Sequence, residues 1–450
     1  MKTILILGAG LSSSSLIGYF LDQAGERWKV RVADIHPENA RKRIGDHPAG
    51  EYVAFDVYNP VQRRREIENA SIVISLLPAR MHLVVAETCV EAGRDLVTAS
   101  YISPGIRFLD GPAKEKGIVL MNECGVDPGI DHMSAMQMID RIRDDGGEIV
   151  AFESSTGGLV APGFENNPWQ YKFTWNPRNV VLAGMEGARF LHNGKFKYIP
   201  YHKVFSRIET ILVPGLGEFE VYGNRDSLTY RETYGLHNLQ TMFRGTIRRP
   251  GFCEAWDIFV QLGATDDTYV MEDTGNMTYR EFINSFMAYQ TDIPVETKLA
   301  RYLGFSEDSL MMERLKWLGI FGNRKIGIPG LSPARVLQKI LEEKWSLDPG
   351  DRDMILMQHQ FDYVNGGFRR KRYATMVCIG QDSNTAMSMT VGLPLAMTAR
   401  RILEGSYREP GVRLPIHPDI YNPVLAELEE YGIRFVEEET ISSNGSSLII

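Results

Sequence analysis

The sequence predicts an α/β protein built on a doubly wound parallel sheet, followed by a second, mixed α/β region with a helical insert. Short continuous apolar runs alternate with helix-like stretches through residues 2 to 122, as in strands that are buried on both faces. From residue 149 to about 270 the chain is rich in glycine, proline and aromatic residues, which favours an open mixed or antiparallel sheet. Residues 277–345 carry leucine, isoleucine and valine at helical spacing, which predicts the insert.

Six apolar runs are the expected strands of the parallel sheet, and six is the number in a doubly wound fold. They lie at 4–7, 30–33, 52–55, 71–77, 96–99 and 118–121. A helix is expected at 81–92 between two of them. Strand-like composition returns at 354–379, and the last helix is predicted at 386–403, with an interruption near Gly392.

Length and composition exclude several classes of protein. The 450 residues favour two or three domains, and the net charge of −8 argues against general nucleic-acid binding. The four cysteines are far apart, which predicts reduced buried thiols and no metal site. The N-terminus lacks the apolar core of a signal peptide, and no apolar run approaches about 18 residues. We therefore expect a cytoplasmic protein without a membrane span.

A glycine-rich turn follows the first expected strand and opens a helix. It has the pattern G-x-G-x-x-small, in which Gly8 permits the tight turn, Gly10 lets a pyrophosphate approach and Ser13 lets the helix pack closely. The helix N-terminus offers free N–H groups to the phosphates. The strand–turn–helix context predicts a Rossmann dinucleotide site, bound by Gly8, Gly10, Leu11, Ser12 and Ser13.

Asp34 ends the second expected strand, 24 positions after Gly10. A carboxylate there accepts hydrogen bonds from the ribose hydroxyls and repels a 2′-phosphate, so it favours NAD over NADP. The basic residues Arg41, Lys42 and Arg43 offer an alternative, because they would accommodate a 2′-phosphate. Asp34 as a loop-capping residue is a second alternative.

Three further motifs follow strands four, five and six, where doubly wound folds bind their ligands. They are LLP at 76–78, TASYISP at 98–104 and NECGVDPGIDH at 122–132. Together they resemble the saccharopine dehydrogenase family, which also contains carboxynorspermidine dehydrogenases. The second half of the chain resembles the L-glutamate-forming branch of that family, through GGLVAP at 157–162, NPWQYKFTW at 167–175, YGNRDS at 222–227, RGTIR at 244–248, KWLGIF at 316–321 and DRDM at 351–354.

The resemblance covers nearly the whole chain and implies a domain organisation. It implies a Rossmann domain at 1–127 completed by about 385–450, and a mixed α/β domain for substrate binding and dimerisation at 128–275 and 350–384. Residues 276–349 are the expected helical insert. A homodimer acting on a small substrate with several carboxylates, with no nucleic acid and no membrane, is the expected assembly.

The resemblance also implies a reaction and its residues. The family enzymes interconvert saccharopine with glutamate and 2-aminoadipate 6-semialdehyde through an imine and NAD(P), in lysine metabolism. Asp127 and Tyr101 are the expected catalytic residues. The expected substrate-binding residues are Ser100, Tyr101, Asp127, Arg225, Thr246, Ile247 and Arg248. The cofactor-binding residues expected in addition to the glycine turn and Asp34 are Leu76, Leu77, Ser100, Val126, Asp127 and His132.

Other interpretations of these residues stay open at this point. Asp127 followed by Pro128 has the pattern of a helix N-cap and N1 pair. The period-two aromatics at 169–175 favour a strand face over a ligand cage, and His132 has an alternative role in helix packing. The sequence departs from the family's fungal pattern at Ala33–Asp34, where those enzymes have Cys-Arg, and at Thr156, where they have Cys.

Two alternative functions remain at this point. A carboxynorspermidine dehydrogenase would handle a diamine-derived substrate with fewer carboxylates, and the pair Arg225 and Arg248 argues against it. A catalytically silent NAD-binding protein would share the fold but not the chemistry. The motifs after strands four to six argue against that second alternative.

Overall fold

The computed structural model describes residues 1–381 and 384–442. The chain divides into two compact units, one formed by Met1–Ile149 together with the chain from Tyr363 onward, the other by Val150–Asp362. Among the residues described, no helix is long and apolar enough to cross a membrane. The three-domain division expected from the sequence stays a prediction.

Strands and helices alternate through the first 149 residues. In chain order they are β1 (Lys2–Leu7), α1 (Ser14–Asp22), β2 (Trp28–Asp34), α2 (Pro37–Ile44), β3 (Gly50–Ala54), α3 (Pro60–Glu68), β4 (Ile72–Ser75), α4 (His82–Ala92), β5 (Asp95–Thr98), α5 (Pro104–Arg107), α6 (Asp110–Lys116), β6 (Val119–Met121) and α7 (Ile130–Asp144). Short 3-10 turns at Leu11–Ser13 and Ala79–Met81 precede α1 and α4.

The middle of the chain has more strands at first and then mainly helices. Its elements are β7 (Glu148–Val160), α8 (Pro177–Val181), β8 (Ala188–His192), β9 (Lys195–Ile199), α9 (Tyr201–Val204), β10 (Ile208–Val213), β11 (Gly217–Gly223), β12 (Arg225–Asp226), α10 (Thr229–Thr233), β13 (Thr241–Arg248), α11 (Phe252–Leu262), α12 (Tyr279–Asn284), α13 (Val295–Leu303), α14 (Leu310–Trp317), α15 (Pro333–Trp345) and β14 (Asp353–Asn365).

The last part of the chain returns to the first unit. It contains β15 (Phe368–Ile379), α16 (Ala386–Glu404), β16 (Gly411–Arg413), α17 (Pro418–Glu430) and β17 (Phe435–Ser442). Strand β17 pairs antiparallel with β15, and β16 adds a seventh strand beside β6.

The first unit contains a seven-stranded sheet in the order β16-β6-β5-β4-β1-β2-β3. Every neighbouring pair is parallel. The strand order reverses between β1 and β4, and ligands of doubly wound folds bind outside the carboxyl ends of the strands at that reversal. The predicted fold class is therefore confirmed, and all six predicted strands are present.

The burial of the residues of β1 shows that this sheet is covered on both faces. Ile4 to Leu7 have no solvent-exposed surface, so alternate side chains of the strand are buried on opposite sides. Helix α4 ends at Gly93 in the left-handed conformation, which glycine adopts without a Cβ clash. Helix α6 ends in the same way at Gly117, and in both places the chain then enters the next parallel strand.

The second unit contains a mixed sheet with strand order β10-β11-β13-β7-β14. Strand β13 pairs antiparallel with β11 and parallel with β7, while β8 pairs with β9, β12 and β13. Helices α12 to α15 pack with α11 into one apolar core. The capping box of Thr278 and Glu281 starts α12. A mixed sheet with a helical insert matches the sequence prediction.

The aromatic segment at 169–175 is not the strand face that its period of two predicted. Residues 168–175 lie in turns and irregular backbone, yet Trp169 and Tyr171 are 1% exposed. They pack against Phe252 and Trp345 of the helical core. Burial of large rings, rather than strand pairing, explains the pattern.

Two helix boundaries also differ from the sequence prediction. Helix α16 runs unbroken through Gly392 and Pro394, because it packs so closely on α1 that a Cβ at Gly392 would lie 2.8 Å from the backbone nitrogen of Leu16. Helix α7 begins at Ile130 with Gly129 as its N-cap. The assignment of Asp127 as N-cap and Pro128 as N1 was wrong, since the chain first forms a separate turn there.

Candidate active site

The glycine-rich turn lies at the carboxyl end of β1, at the reversal of strand order. Gly8 has φ of +101°, and a Cβ on it would lie 3.2 Å from the carbonyl oxygen of Leu76, so glycine is required by both conformation and space. If Gly10 carried a Cβ, no atom outside its immediate chain neighbours would lie within 4 Å of it. The space in front of its backbone is therefore open. Ser13 is buried and donates to the Gly10 carbonyl at 2.8 Å.

This turn fits a dinucleotide pyrophosphate. The open space at Gly10 faces the start of a 3-10 turn and α1, of which Leu11 is exposed, and Ser12 is half-buried. Backbone N–H groups at the start of a helix carry partial positive charge. The five expected residues of the turn therefore lie together at one strand end.

Asp34 is part of the same turn. Its Oδ2 accepts the backbone N–H of Ala9 at 2.7 Å, and its Oδ1 accepts that of His36 at 2.8 Å. These bonds hold the carboxylate beside the glycines. The half-buried side chain of Arg43 in α2 donates to the Gly10 carbonyl at 3.4 Å, so a basic group also borders the turn.

The carboxyl ends of β4 and β5 meet at a buried histidine that the sequence analysis did not select. His82 is 2% exposed, and its ring contacts the hydroxyls of Ser75, Thr98 and Ser100. Burial lowers the pKa of His82 to about 4. The sequence signal that could have identified His82 is its place at the start of α4, four residues after the last residue of the LLP motif at 76–78.

Tyr101 and Asp127 lie together in the first unit. The phenol of Tyr101 donates to Asp127 Oδ1 at 3.2 Å, and both residues are half-buried. Asp127 follows Val126, whose carbonyl accepts the backbone N–H of Asp131. Asp127 does not cap α7, whose N-cap is Gly129. Its carboxylate and the phenol of Tyr101 therefore form a pair that is able to pass a proton.

His132 lies in α7 and is paired with a second residue that sequence reasoning missed. Its Nε2 is 2.8 Å from Glu123 Oε2, and both side chains are buried. The other oxygen of Glu123 accepts the backbone N–H of Ile102 at 3.0 Å. The pair therefore ties the loop after β5 to the loop after β6. Glu123 has φ of +59°, a conformation that is uncommon for a side chain of this size.

The second unit contains a buried arginine, Arg248, at the end of β13. It is 3% exposed, and its guanidinium lies over the rings of Tyr171, Tyr222 and Phe252 at 5.3 to 5.6 Å. Its hydrogen bonds go to the carbonyl of Ile247 at 2.9 Å and the phenol of Tyr222 at 3.3 Å. Within the described residues no carboxylate forms an ion pair with Arg248.

Several polar atoms around Arg248 have no hydrogen-bond partner in the described structure. They are Arg248 Nε and the phenol oxygen of Tyr171. The hydroxyl of Thr156, on β7 beside Thr246, also has no partner. Burial raises the pKa of Tyr171, so its phenol stays protonated. Unpaired buried polar groups cost free energy unless a ligand satisfies them, so this cage has the character of an anion-binding site.

Arg225 is placed differently from Arg248. Its side chain is 53% exposed and lies 3.7 Å from Glu186, and its φ is +50°. It belongs to β12, which pairs with β8, whereas Arg248 lies opposite Glu220 on β11. The two arginines, both predicted to bind substrate, are thus on separate parts of the second unit's sheet.

The backbone around the Arg248 cage is held by an arginine of the helical insert. Arg314 in α14 donates to the carbonyls of Pro168 at 3.0 Å, Pro250 at 3.3 Å and Gly251. The indole of Trp169 donates in turn to the Arg314 carbonyl at 2.9 Å. These bonds join the two segments that carry Tyr171 and Arg248.

Comparison with known proteins identifies relatives over the whole chain. Residues 4–121 match the family model described as the saccharopine dehydrogenase NADP binding domain, and residues 125–433 match the saccharopine dehydrogenase C-terminal domain. A saccharopine dehydrogenase [NADP(+), L-glutamate-forming] from Pyricularia oryzae is 32% identical, over 97% of this chain and 99% of the relative. The mitochondrial alpha-aminoadipic semialdehyde synthase of Rattus norvegicus is 34% identical, but the chain spans only 48% of it.

A solved structure resembles the chain equally broadly. The apo saccharopine dehydrogenase (L-Glu forming) from Saccharomyces cerevisiae matches with a TM-score of 0.87 and 29% sequence identity. The match covers 98% of this chain and 100% of that one.

Proposed function

This chain belongs to the saccharopine dehydrogenase family, and we propose that it interconverts saccharopine with L-glutamate and 2-aminoadipate 6-semialdehyde. The nicotinamide cofactor supplies the hydride acceptor in one direction and the hydride donor in the other. In the oxidative direction the C–H beside the secondary amine loses hydride and the N–H loses a proton, which gives an imine. Water adds to the imine carbon, and the C–N bond breaks to release glutamate and the aldehyde.

The observation that carries the proposal is the buried guanidinium of Arg248 without a described acidic partner. A buried cation is costly unless a counter-charge accompanies it. A substrate carboxylate would supply that charge, and the planar guanidinium suits its two oxygens. The unpaired phenol of Tyr171 offers a further donor to the same carboxylate.

Arg225, Thr246 and Ile247 complete the proposed substrate-binding set in the second unit. Arg225 is exposed enough to meet a second carboxylate of saccharopine, and Thr246 is half-buried in β13. The carbonyl of Ile247 anchors Arg248, so its proposed role is indirect. A tricarboxylate substrate gives each arginine its own counter-charge.

Tyr101 and Asp127 are the proposed proton-transfer pair. The carboxylate of Asp127 takes the proton that the substrate amine loses, and the phenol of Tyr101 orients that carboxylate through the 3.2 Å hydrogen bond. Ser100 precedes Tyr101 and contributes a hydroxyl at the end of β5. Leu76, Leu77, Val126 and His132 are proposed to line the cofactor site around the ends of β4 and β6.

We propose that the cofactor is NAD in preference to NADP. The support is Asp34, whose carboxylate is fixed beside the glycine turn by the N–H groups of Ala9 and His36 and would repel a 2′-phosphate. Arg43 is the opposing influence, and the relatives from Pyricularia oryzae and Schizosaccharomyces pombe are named for NADP(+). Arg43 makes one long hydrogen bond to the turn, whereas the carboxylate of Asp34 is held by two shorter ones.

The test is a steady-state assay of the purified protein on saccharopine, carboxynorspermidine and lysine, each with NAD⁺ and NADP⁺. We expect turnover of saccharopine alone, with the higher kcat/KM for NAD⁺. Turnover of carboxynorspermidine but not saccharopine would overturn the substrate assignment. Turnover of none, with cofactor binding retained, would favour a non-catalytic protein, and a higher kcat/KM with NADP⁺ would refute the cofactor preference.

We also propose a cytoplasmic homodimer. The support for a second copy is the exposed apolar surface of β9 and β10, which includes Phe196, Tyr198 and Leu212, because exposed apolar patches mark association surfaces. Light scattering coupled to gel filtration tests the assembly, and a monomeric mass at micromolar concentration would contradict it. Fractionation of the source cells tests the compartment.

A further inference from the structure

His82 is enclosed by hydroxyl groups at the ends of two neighbouring strands. Its Nδ1 lies 3.0 Å from Ser75 Oγ at the end of β4. Its Nε2 lies 2.7 Å from Ser100 Oγ and 3.4 Å from Thr98 Oγ1, both at the end of β5. Because burial lowers the pKa of His82 to about 4, the ring is neutral near pH 7. One nitrogen therefore donates and the other accepts.

Ser75 identifies the nitrogen that accepts. The Leu77 backbone also acts on the ring and raises the pKa of His82 against the effect of burial, but the contacts within hydrogen-bond geometry are those with Ser75, Thr98 and Ser100. Its side chain is fully buried, and within the described residues its hydroxyl has His82 Nδ1 as its only hydrogen-bond partner. A buried O–H that donates to nothing is costly, so Ser75 donates to Nδ1. The ring proton is then on Nε2, and this N–H donates to Ser100 at 2.7 Å, with Thr98 as a weaker second acceptor.

Thr98 is compatible with this assignment. Its Oγ1 accepts the backbone N–H of Ser100 at 3.3 Å, so it already acts as an acceptor toward the same loop. At 3.4 Å from Nε2 it is too distant to compete with Ser100 for the ring proton. The direction of the hydrogen bonds thus runs from Ser75 through His82 to Ser100.

We infer that His82 is a positioning residue that holds the Nε2–H tautomer and thereby aims the hydroxyl proton of Ser100 at the ligand. Since the oxygen of Ser100 accepts from the ring, its own proton is left to donate to a further oxygen. Ser100 is half-buried, so its hydroxyl is within reach of a ligand. The acceptor is a trigonal oxygen, either a substrate carboxylate or the carboxamide of a nicotinamide. This inference deepens the proposed function and rests on it only for the identity of that ligand.

The tautomer is tested directly on the full-length wild-type protein by ¹⁵N NMR of the histidine rings, with His82 assigned from the signal missing in His82→Gln. We expect a pyridine-like Nδ1 and a pyrrole-like Nε2 at pH 7. The Ser75→Ala variant should lose this preference, because the group that selects the tautomer is gone. A pyrrole-like Nδ1 in the wild type overturns the inference, whether or not the enzyme turns over saccharopine.

Two substitutions test the consequence for the ligand. The amide nitrogen of Gln reaches the place of Nε2, whereas that of Asn reaches the place of Nδ1. We expect His82→Gln to keep kcat/KM within about threefold of wild type, and His82→Asn to lose about tenfold, the size of one hydrogen bond. The reverse order overturns the inference.

Binding measurements on the same variants identify the ligand atom. A rise in the Kd of NADH in His82→Asn assigns the Ser100 proton to the carboxamide, whereas a rise only in the KM of saccharopine assigns it to a carboxylate. An unchanged Kd and KM in a folded His82→Asn overturns the positioning role. If both variants fail to fold, His82 is assigned instead as the ring signal that shifts in Ser75→Ala, and its tautomer in the wild type then decides.

Discussion

The carboxylate of Asp34 accepts the backbone N–H of Ala9 at 2.7 Å, so the residue that ends β2 is bonded to the glycine turn that follows β1. The side chain of Asp34 therefore has two effects. The carboxylate stabilises the turn that would bind the pyrophosphate, and the same charge disfavours a phosphate on the adjacent ribose. Cofactor preference and turn stability are therefore coupled through one side chain.

Replacement of Asp34 by asparagine should weaken the preference for NADH over NADPH at least about tenfold, the effect of removing one charge-assisted interaction. Asparagine keeps one oxygen, which accepts the Ala9 N–H of the glycine turn, but its amide NH2 cannot accept the N–H of His36. The measurement is the ratio of kcat/KM values for the two cofactors. Arg43→Ala is the matched control, and it should lower the kcat/KM for NADPH while it leaves NADH unchanged. An unaltered ratio in Asp34→Asn would contradict a role of this charge in selectivity.

Replacement of Arg248 by methionine should abolish saccharopine turnover without destabilising the protein. Removal of one partner of a buried ion pair costs about 3–5 kcal/mol, because it leaves an uncompensated buried charge. Arg248 has no acidic partner among the described residues, so its replacement by an apolar side chain of similar length leaves no such charge behind. We expect the free energy of unfolding to stay within about 1 kcal/mol of wild type or to rise. NADH binding, measured by fluorescence, should be unchanged.

The neighbouring residue supplies the control for Arg248. Arg249 is also buried but forms an ion pair with Glu165 at 2.7 Å, so Arg249→Met should lower stability and leave the KM for saccharopine nearly unchanged. If Arg248→Met loses several kcal/mol of stability like a structural ion-pair residue, the carboxylate site is misassigned.

Substitution of Arg314 by alanine should raise the KM for saccharopine more than it lowers kcat. The side chain bonds the carbonyls of Pro168, Pro250 and Gly251, and its loss lets the segments that carry Tyr171 and Arg248 move apart. Millimolar guanidinium should restore part of the KM, because it refills the same hydrogen-bonding position. Arg324→Ala, which removes an exposed ion pair with Glu343, should change neither parameter. A parallel fall in kcat with no guanidinium rescue would point to general unfolding.

Alanine at Gly8 should destabilise the first unit and weaken cofactor binding. The backbone φ of +101° is unfavourable for alanine, and its Cβ would lie 3.2 Å from the carbonyl oxygen of Leu76. Backbone strain of this kind costs on the order of 1–3 kcal/mol. Gly18 is the internal control, because it lies within α1 with no atom near a built Cβ. Gly18→Ala should stabilise the protein by about 0.5–1 kcal/mol. Urea unfolding of both variants measures the difference.

Acid should destabilise the protein partly through His82. The folded pKa of about 4 lies below the ordinary value of 6.5, so between these pH values the unfolded chain binds more protons than the folded one. Stability from this group is present above pH 6.5 and is lost as the pH falls toward 4, by roughly 3 kcal/mol in all. The free energy of unfolding of His82→Gln should fall less over this window than that of wild type. Equal slopes would show that His82 is not the group that titrates.

The structural predictions that agree with the structure are those for which a short stretch of sequence contains the whole pattern. The buried strand Ile4 to Leu7, the glycine turn and Asp34 are adjacent in sequence or follow a fixed spacing, so one window of the chain carries the whole pattern. The family assignment, made from the motifs at 76–78, 98–104 and 122–132, is confirmed by the matched family models. Assignments that depended on partners far along the chain failed or were missed. Asp127 looked like a helix cap, and the aromatics at 169–175 looked like a strand.

By itself the sequence determined the parallel sheet, its glycine turn and the family, because these follow from apolar periodicity and from residues that only certain backbone geometries accept. The tertiary structure alone decided the environment of each polar group. It buried Arg248 among three rings without a described counter-charge, bonded Arg314 to segments some 60 and 145 residues away, and enclosed His82 between two strand ends. Burial and hydrogen-bond partners are properties of three-dimensional neighbours, and they set the charge, tautomer and cost of a side chain.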